Sequence, residues 1–184
     1  MKLLRVITSY IPAVAIAFVL SLFIGIFVFQ PYKVVGQSME PTLQDTQRVY
    51  TSKLARTFSH MPAYGDIVVI DSRVNRERSF MDNIVEHPLI QLIRGANEDH
   101  TFFIKRVIGK PGDVIEIKNQ QVYRNGEALV EPYIKEKMNP SEDSKWVIPD
   151  NHIFVLGDNR NNSMDSRELG PIPFDHIMGI EEIK

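Results

Sequence analysis

The longest uniform pattern in the chain is a run of apolar residues near its beginning. From Ile7 to Phe29 the sequence reads ITSYIPAVAIAFVLSLFIGIFVF, with no charged side chain. A helix of about 23 residues rising about 1.5 Å each covers roughly 34 Å, enough to cross a hydrocarbon core of about 30 Å. Burial on all sides within a soluble core is the plainer alternative. A removed signal peptide would have a shorter apolar region, of about 7–15 residues, with small residues at the cut. This stretch is longer and runs into Phe29, Gln30, Pro31 and Tyr32. It reads as an uncleaved transmembrane signal anchor over 7–29, with Pro12 near its start, where proline can frame the first helical turns. Lys2, Arg5 and the terminal amine precede the span and only Lys33 follows closely. The positive-inside rule then places residues 1–6 in the cytoplasm and residues 30–184 on the outer face of the cell membrane, as a single-pass protein.

Beyond the anchor the pattern changes. Helical periodicity is scarce, and short β-branched and apolar runs alternate with turn signals. Gly65-Asp66 leads into Ile67-Val68-Val69-Ile70, a buried strand; Phe102 to Ile108 reads as another. Pro111-Gly112-Asp113 is a turn before a strand from Val114 to Ile117. Val122-Tyr123-Arg124 meets Asn125-Gly126, a tight-hairpin signal because both turn residues tolerate positive φ. Ile153 to Leu156 is a further strand, ended by Gly157-Asp158-Asn159. The prediction is a mostly β catalytic domain over 30–184, built of coiled or barrel-like antiparallel sheets. Residues 72–101 are polar apart from the island Pro88 to Ile93 and read as an inserted loop or lobe between two core strands. The segments Pro31-Tyr32 and Pro62-Ala63-Tyr64 are candidates for dipping into the membrane interface.

Composition narrows the chemistry. The 184 residues hold 21 Lys plus Arg against 23 Asp plus Glu, a formal charge of −2. No basic run stands out, so no nucleic-acid partner is expected. There are no cysteines, which removes disulfides, thiolate nucleophiles and Cys-based metal sites. The histidines are His60, His87, His100, His152 and His176, and none makes an H-E-x-x-H or other metal spacing. No metal and no cofactor is expected.

Three segments can carry chemistry. In Gly36-Gln37-Ser38-Met39-Glu40-Pro41-Thr42-Leu43, Gly36 and Pro41 bracket a turn that can aim the Ser38 hydroxyl, and its backbone N–H groups can face a developing oxyanion. A plain linker turn has the same composition. In Phe103-Ile104-Lys105-Arg106-Val107-Ile108-Gly109, strand alternation puts Lys105 with Phe103 and Val107, and Arg106 with Ile104 and Ile108. Whichever face is buried, one cation lies among apolar side chains. Desolvation disfavours an ammonium, and a neutral amine can act as general base toward a serine. A lysine snorkelling at a strand edge is the alternative. In the loop from Gly157 to Arg167, Asp158 and Asp165 can each pair with an arginine, and Ser163 or Ser166 can hydrogen-bond an amine. Its Asp/Asn spacing does not match an EF-hand.

The order and spacing of these segments are more specific than any one of them. A membrane span, then G-Q-S-M-E-P-T-L, G-D-I-V-V-I, F-I-K-R-V-I-G-K-P-G-D and V-L-G-D-N-R-N-N-S-M-D-S-R-E-L-G-P-I, resembles the bacterial type I signal peptidases over about residues 6–180. The resemblance implies a membrane-bound serine endopeptidase that removes signal peptides from secreted preproteins with small residues at positions −1 and −3. It implies Ser38 as nucleophile and Lys105 as general base, with the Ser38 backbone N–H donating to the oxyanion. Ser163 would hydrogen-bond the Lys105 amine. Asp165 and Arg167 would form an ion pair beneath the site, supported by Asp158 and Arg106. Gly36 stands where some members carry a second oxyanion donor, a serine hydroxyl, and this variant resembles the Gram-positive pattern. Met39 is a candidate pocket wall, and the lipid bilayer is an expected partner. A self-cleaving repressor-type regulator would need a DNA-binding region where the apolar run stands. A catalytically dead membrane-anchored binding module would lack Ser38 or Lys105, and both are present.

Overall fold

A computed structural model describes residues 2–27, 29–52, 61–85 and 101–181. The first element, α1 (Lys2–Phe27), is a helix of 26 residues that contains Pro12. Its described side chains are those of Tyr10 to Ser21 and Phe23. Among the described residues, no helix is long and apolar enough to cross a membrane.

The rest is β structure. The strands are β1 (Phe29–Lys33), β2 (Arg48–Ser52), β3 (Ile67–Asp71), β4 (Phe102–Gly109), β5 (Val114–Lys118), β6 (Gln121–Arg124), β7 (Glu127–Ala128), β8 (Ser144–Val147), β9 (His152–Leu156), β10 (Ile172–Pro173) and β11 (Ile177–Glu181). Short helices α2 (Phe80–Val85) and α3 (Ser166–Leu169) interrupt them. One sheet has seven strands in the order β1-β2-β11-β3-β4-β9-β10; the other has four, β7-β6-β5-β8. Every pairing is antiparallel.

Alternation explains how β3 and β4 form the centre. All five β3 residues are buried, and successive side chains enter different cores. Ile67 and Val69 pack with Val34, Met39, Leu43, Val49, Ile104 and Met178. Val68 and Ile70 pack with Val107, Ile153, Val155, Ile172 and Ile177. A third core, of Ile108, Ile115, Ile117, Val122, Ile148, Phe154 and Leu156, joins the two sheets. Between Asn125 (φ +54°) and Gly126 (φ +85°) the chain makes the tight turn that brings Arg124 opposite Glu127.

Several sequence-based expectations change. The apolar run does not stay helical to Phe29: the helix stops at Phe27 and β1 starts at Phe29, pairing only with β2. Pro31 lacks an N–H and is tolerated there because β1 is an edge strand. Around Tyr32 and Tyr64 the aromatic rings also have partners within the protein, although Tyr64 stays exposed. Tyr32 packs edge-on against Phe102, with centroids 5.7 Å apart. Tyr64 lies between the Lys110 amine and the Arg124 guanidinium, and its hydroxyl donates to Asp113 at 2.8 Å. In the segment 72–101 the charges near β3 are paired. Arg73 and Arg78 both bind the buried Asp71 carboxylate, and Ser72 N–H donates to the Thr101 carbonyl at 2.8 Å, closing the neck of the insertion. The apolar island Pro88 to Ile93 lies outside the described residues.

Phe154 is fully buried in the core that joins the sheets and lies 5.0 Å from the Trp146 ring. Phe154→Ala is expected to cost about 3–5 kcal/mol of stability. Val147→Ala, on the exposed side of β8, is expected to change it by less than about 0.5 kcal/mol. Urea unfolding of both variants checks this; equal midpoints would mean that the sheets do not share a packed core.

Candidate active site

The turn that carries Ser38 is held on both sides. Gly36 has φ +89°, a conformation that suits glycine, and its N–H donates to Asp45 Oδ1 at 3.0 Å. Met39, the next residue but two, is 1% exposed and anchors the turn in the core below β3. Met39, a candidate pocket wall from its position, is thus packed in the core and is not among the residues that line the cleft at Ser38. The main chain of the turn is gripped by Asn159: its N–H donates to the Ser38 carbonyl at 3.0 Å and its side-chain amide to the Gln37 carbonyl at 3.1 Å. The Ser38 N–H has no partner among the described residues.

Strand β4 brings Lys105 to this turn. Lys105 is 3% exposed, and its Nζ lies 2.9 Å from Ser38 Oγ, 3.0 Å from the Ile104 carbonyl and 5.2 Å from the Phe103 ring centroid. Burial lowers the pKa of the amine to about 8; the charges of Asp165 and Asp158 oppose this, and that of Arg167 adds to it. The two carboxylates favour the ammonium but do not outweigh burial, and each is held by an arginine of its own. Arg106, on the opposite face of β4, makes a bidentate contact with Asp158 at 2.8 and 2.6 Å. Arg167 does the same with Asp165 at 2.8 and 2.9 Å.

These acids sit in the loop from Gly157 to Arg167. Asp165 caps α3 by accepting the Arg167 N–H, and also accepts the Gly157 N–H at 3.0 Å. Asp158 additionally accepts the Thr42 hydroxyl, linking the loop to the segment after Ser38. A Cβ added at Gly157 would lie 2.6 Å from the Ser38 carbonyl and 2.2 Å from Ser163 Oγ, so only glycine fits between them. Ser163 Oγ is buried without a hydrogen-bond partner, and the expected bond to Lys105 is not made. Ser166 is occupied elsewhere, accepting the Val155 N–H at 3.0 Å.

Ser38 and Lys105 open into a cleft of about 380 Å³, walled by Val35, Gly36, Gln37, Phe103, Asn162 and Met164. Val35 and Met164 are more than half exposed at its rim. Sequence reasoning did not single out Asn159, Thr42, Val35 or Met164. Asn159 and Met164 lie inside the motif it quoted, but hydrogen bonding to a carbonyl leaves no mark on residue type. The described histidines are remote from the pair: His152 contacts the Asp150 carbonyl, and His176 contacts Asp175 and the Arg73 carbonyl. Among the described residues no acidic or histidine cluster is arranged to hold a metal ion. The arrangement is that of a hydroxyl beside a desolvated amine, with a free backbone N–H next to the hydroxyl, and it suits acyl transfer.

Comparison with known proteins identifies the family. The profile of the family described as signal peptidase, peptidase S26, matches residues 7–184. Signal peptidase I P of Bacillus subtilis subsp. natto is 34% identical over 96% of this chain and 88% of its own length. The probable signal peptidase I-1 of Synechocystis is 38% identical over 94% of this chain and 79% of its own. A crystal structure of a signal peptidase I from Enterococcus faecalis aligns with 65% of this chain and 96% of its own, at 24% identity and a TM-score of 0.45. The match over nearly the whole chain, together with identities above 30% to curated signal peptidases, places the protein in the signal peptidase family, peptidase S26.

Proposed function

We propose that the chain is a membrane-anchored serine endopeptidase that removes signal peptides from secreted preproteins, with Ser38 as nucleophile and Lys105 as general base. The observation that carries this reading is the 2.9 Å approach of a buried lysine amine to a serine oxygen. An amine with a pKa near 8 is partly neutral at physiological pH and can accept the Ser38 proton as Oγ attacks the substrate carbonyl. The oxygen of the tetrahedral intermediate takes up the negative charge and accepts the Ser38 N–H. The second donor of this hole is not the Gly36 N–H, which is committed to Asp45. The Lys105 ammonium then protonates the departing amine, leaving an ester on Ser38. A water that gives its proton to the same lysine hydrolyses the ester and restores both groups.

Substrate side chains at −1 and −3 would seat in the cleft beside Ser38, against Val35, Phe103 and Met164, and the family resemblance implies that they are small. The sequence, rather than the described helix, supports the membrane placement. From Ile7 to Phe29 it carries no charge, and about 23 residues at about 1.5 Å each would cover roughly 34 Å as a helix. Tyr10, Ile11, Val14, Ile16, Val19 and Leu20 are all more than half exposed, which an apolar helix tolerates in lipid and not in water. With residues 1–6 in the cytoplasm, Ser38 stands a short distance beyond the outer end of α1, where a preprotein held in the same membrane can reach it.

Two measurements test the reading. Wild type in detergent is expected to cut a preprotein bearing an Ala-x-Ala site after the second alanine, as read from the N-terminus of the product. Ser38→Ala and Lys105→Met are expected to be folded and at least 10⁴-fold slower. For wild type, kcat/KM is expected to fall tenfold per pH unit below about 8 and to level above it, because only the neutral amine is a base. Activity in Lys105→Met, or a flat profile from pH 6 to 9, would remove the lysine from the mechanism.

The same amine makes a stability prediction. Between about pH 8 and 10.5 the unfolded chain holds a proton on Lys105 that the native protein does not, so stability rises with pH through that window. Below it the native state carries a penalty of about 3 kcal/mol. Lys105→Met is expected to be about 1–3 kcal/mol more stable than wild type at pH 7, with the gain shrinking toward pH 10.5. Urea unfolding at both pH values checks this, and a variant less stable than wild type at pH 7 contradicts it.

A further inference from the structure

The second sheet reaches the catalytic loop through one acidic residue. Glu131 follows β7 and lies 29 positions before Arg160. Their side chains are 5% and 0% exposed. Arg160 gives its two terminal nitrogens to the Glu131 carboxylate, at 2.8 and 2.7 Å, and its Nε–H to the Gly157 carbonyl at 2.9 Å. Glu131 Oε1 also accepts the Tyr133 hydroxyl at 3.0 Å, and the Tyr133 ring lies 4.1 Å beneath the Arg106 guanidinium that holds Asp158. The guanidinium is a rigid fork, so two nitrogens bound to one carboxylate determine where the third points.

We propose that Glu131 is a positioning residue of the catalytic centre: by orienting Arg160 onto the Gly157 carbonyl, it sets the loop that grips the Ser38 main chain. This rests on the reading of Ser38 as the nucleophile. Gly157 sits against the Ser38 carbonyl with no room for a Cβ, so a shift of its peptide plane is passed directly to Ser38. The Gly157 N–H is held by Asp165 and the Asp158 carbonyl by the Lys135 N–H, which leaves the Gly157 carbonyl as the end governed by Arg160. The next residue, Asn159, carries both hydrogen bonds to the nucleophile turn. A structural role alone does not explain the arrangement, because a buried ion pair is a weak source of stability and two apolar side chains would fill the same space. What apolar side chains cannot supply is a donor aimed at Gly157.

Glu131 is not among the charges that act on the Lys105 amine, which are Asp165, Arg167 and Asp158. Its loss is therefore expected to lower kcat without moving the pH at which activity levels. The experiment uses the full chain in detergent with the Ala-x-Ala preprotein, comparing wild type with Glu131→Gln, Arg160→Met and the double variant Glu131→Met/Arg160→Met. The double variant leaves no unpaired buried charge and is expected to unfold at or above the wild-type urea midpoint. For Glu131→Gln and for the double variant, kcat is expected to drop at least tenfold, with KM within threefold and the pH inflection unchanged. Glu131→Gln and Arg160→Met are expected to cause losses that do not multiply in the double variant. A stable double variant with kcat within twofold of wild type overturns the proposal, as does a shifted inflection. If Glu131→Gln does not fold, the double variant decides alone. A wild type that cuts nothing overturns the nucleophile reading, and this inference with it.

Discussion

Burial of the Lys105 amine against Phe103 and the Ile104 carbonyl is the constraint around which the catalytic half of the molecule is arranged. Lowering its pKa from 10.5 to about 8 corresponds to about 3 kcal/mol against the ammonium. One unpaired carboxylate about 4 Å away would return about 4 kcal/mol at an effective dielectric constant of 20, enough to restore the charge. The site nevertheless contains two aspartates, and the structure manages them by giving each its own arginine in bidentate contact. Asp158 is taken by Arg106 and Asp165 by Arg167. The carboxylates also organise backbone: Asp165 caps α3 and holds Gly157, while the Lys105 pKa stays well below its ordinary value.

Strand β4 shows how one short segment serves both purposes. Its alternation sends Lys105 toward Ser38 and Arg106 to the other face, where it can clamp Asp158 from the loop that returns to the site. The register then shifts between Val107 and Gly109, and Gly109 admits Ile115 and Phe154 at distances a Cβ would block. The strand can thus leave the seven-stranded sheet and start the four-stranded one within a few residues. The smaller sheet is joined to the catalytic one by the core around Phe154 and by the polar contacts of Glu131 and Tyr133.

How much of this is legible in the sequence differs by kind of signal. Ser38 and Lys105 stand out because a Gly/Pro turn and an amine inside an apolar run are marked by residue type. The Asn125-Gly126 hairpin is legible because only a few residues accept positive φ. The strand β2 is not, since Arg48-Val49-Tyr50-Thr51-Ser52 buries Thr51 and Ser52 alongside Val49 and so breaks the apolar alternation that would reveal it. Strand β1 is hidden by its continuity with the apolar helix sequence. Met39 and Ser163 illustrate a different limit: sequence position puts each next to the chemistry, but the side chain of one turns into the core and the hydroxyl of the other has no hydrogen-bond partner. Glu131 carries no signal at all, because its partner lies on another element and the pairing exists only after folding.

The distribution of buried charge is itself an argument about function. Lys105, Asp158, Arg160 and Asp165 are each 3% exposed or less, and all but Lys105 lie within the loop from Gly157 to Arg167. Buried ion pairs contribute little net stability, and a protein selected for stability alone would fill this region with apolar side chains like those of β3. Another buried acid–arginine cluster, Asp71 with Arg73 and Arg78, stands at the neck of the insertion, where it closes a loop. Around Ser38 the charges do something packing cannot: they aim donors at carbonyls. Asn159 holds the Ser38 turn, Arg160 holds Gly157, and each aspartate is held by an arginine of its own. Apolar contacts set distances between surfaces to within a rotamer, whereas a bidentate guanidinium sets a direction. The proposed pairing of Ser38 with Lys105 requires one oxygen to stay within hydrogen-bond reach of one nitrogen without a histidine ring to guide it. In this chain that alignment is carried by a loop of hydrogen-bonded charges, at the expense of the stability the same volume of hydrocarbon would provide.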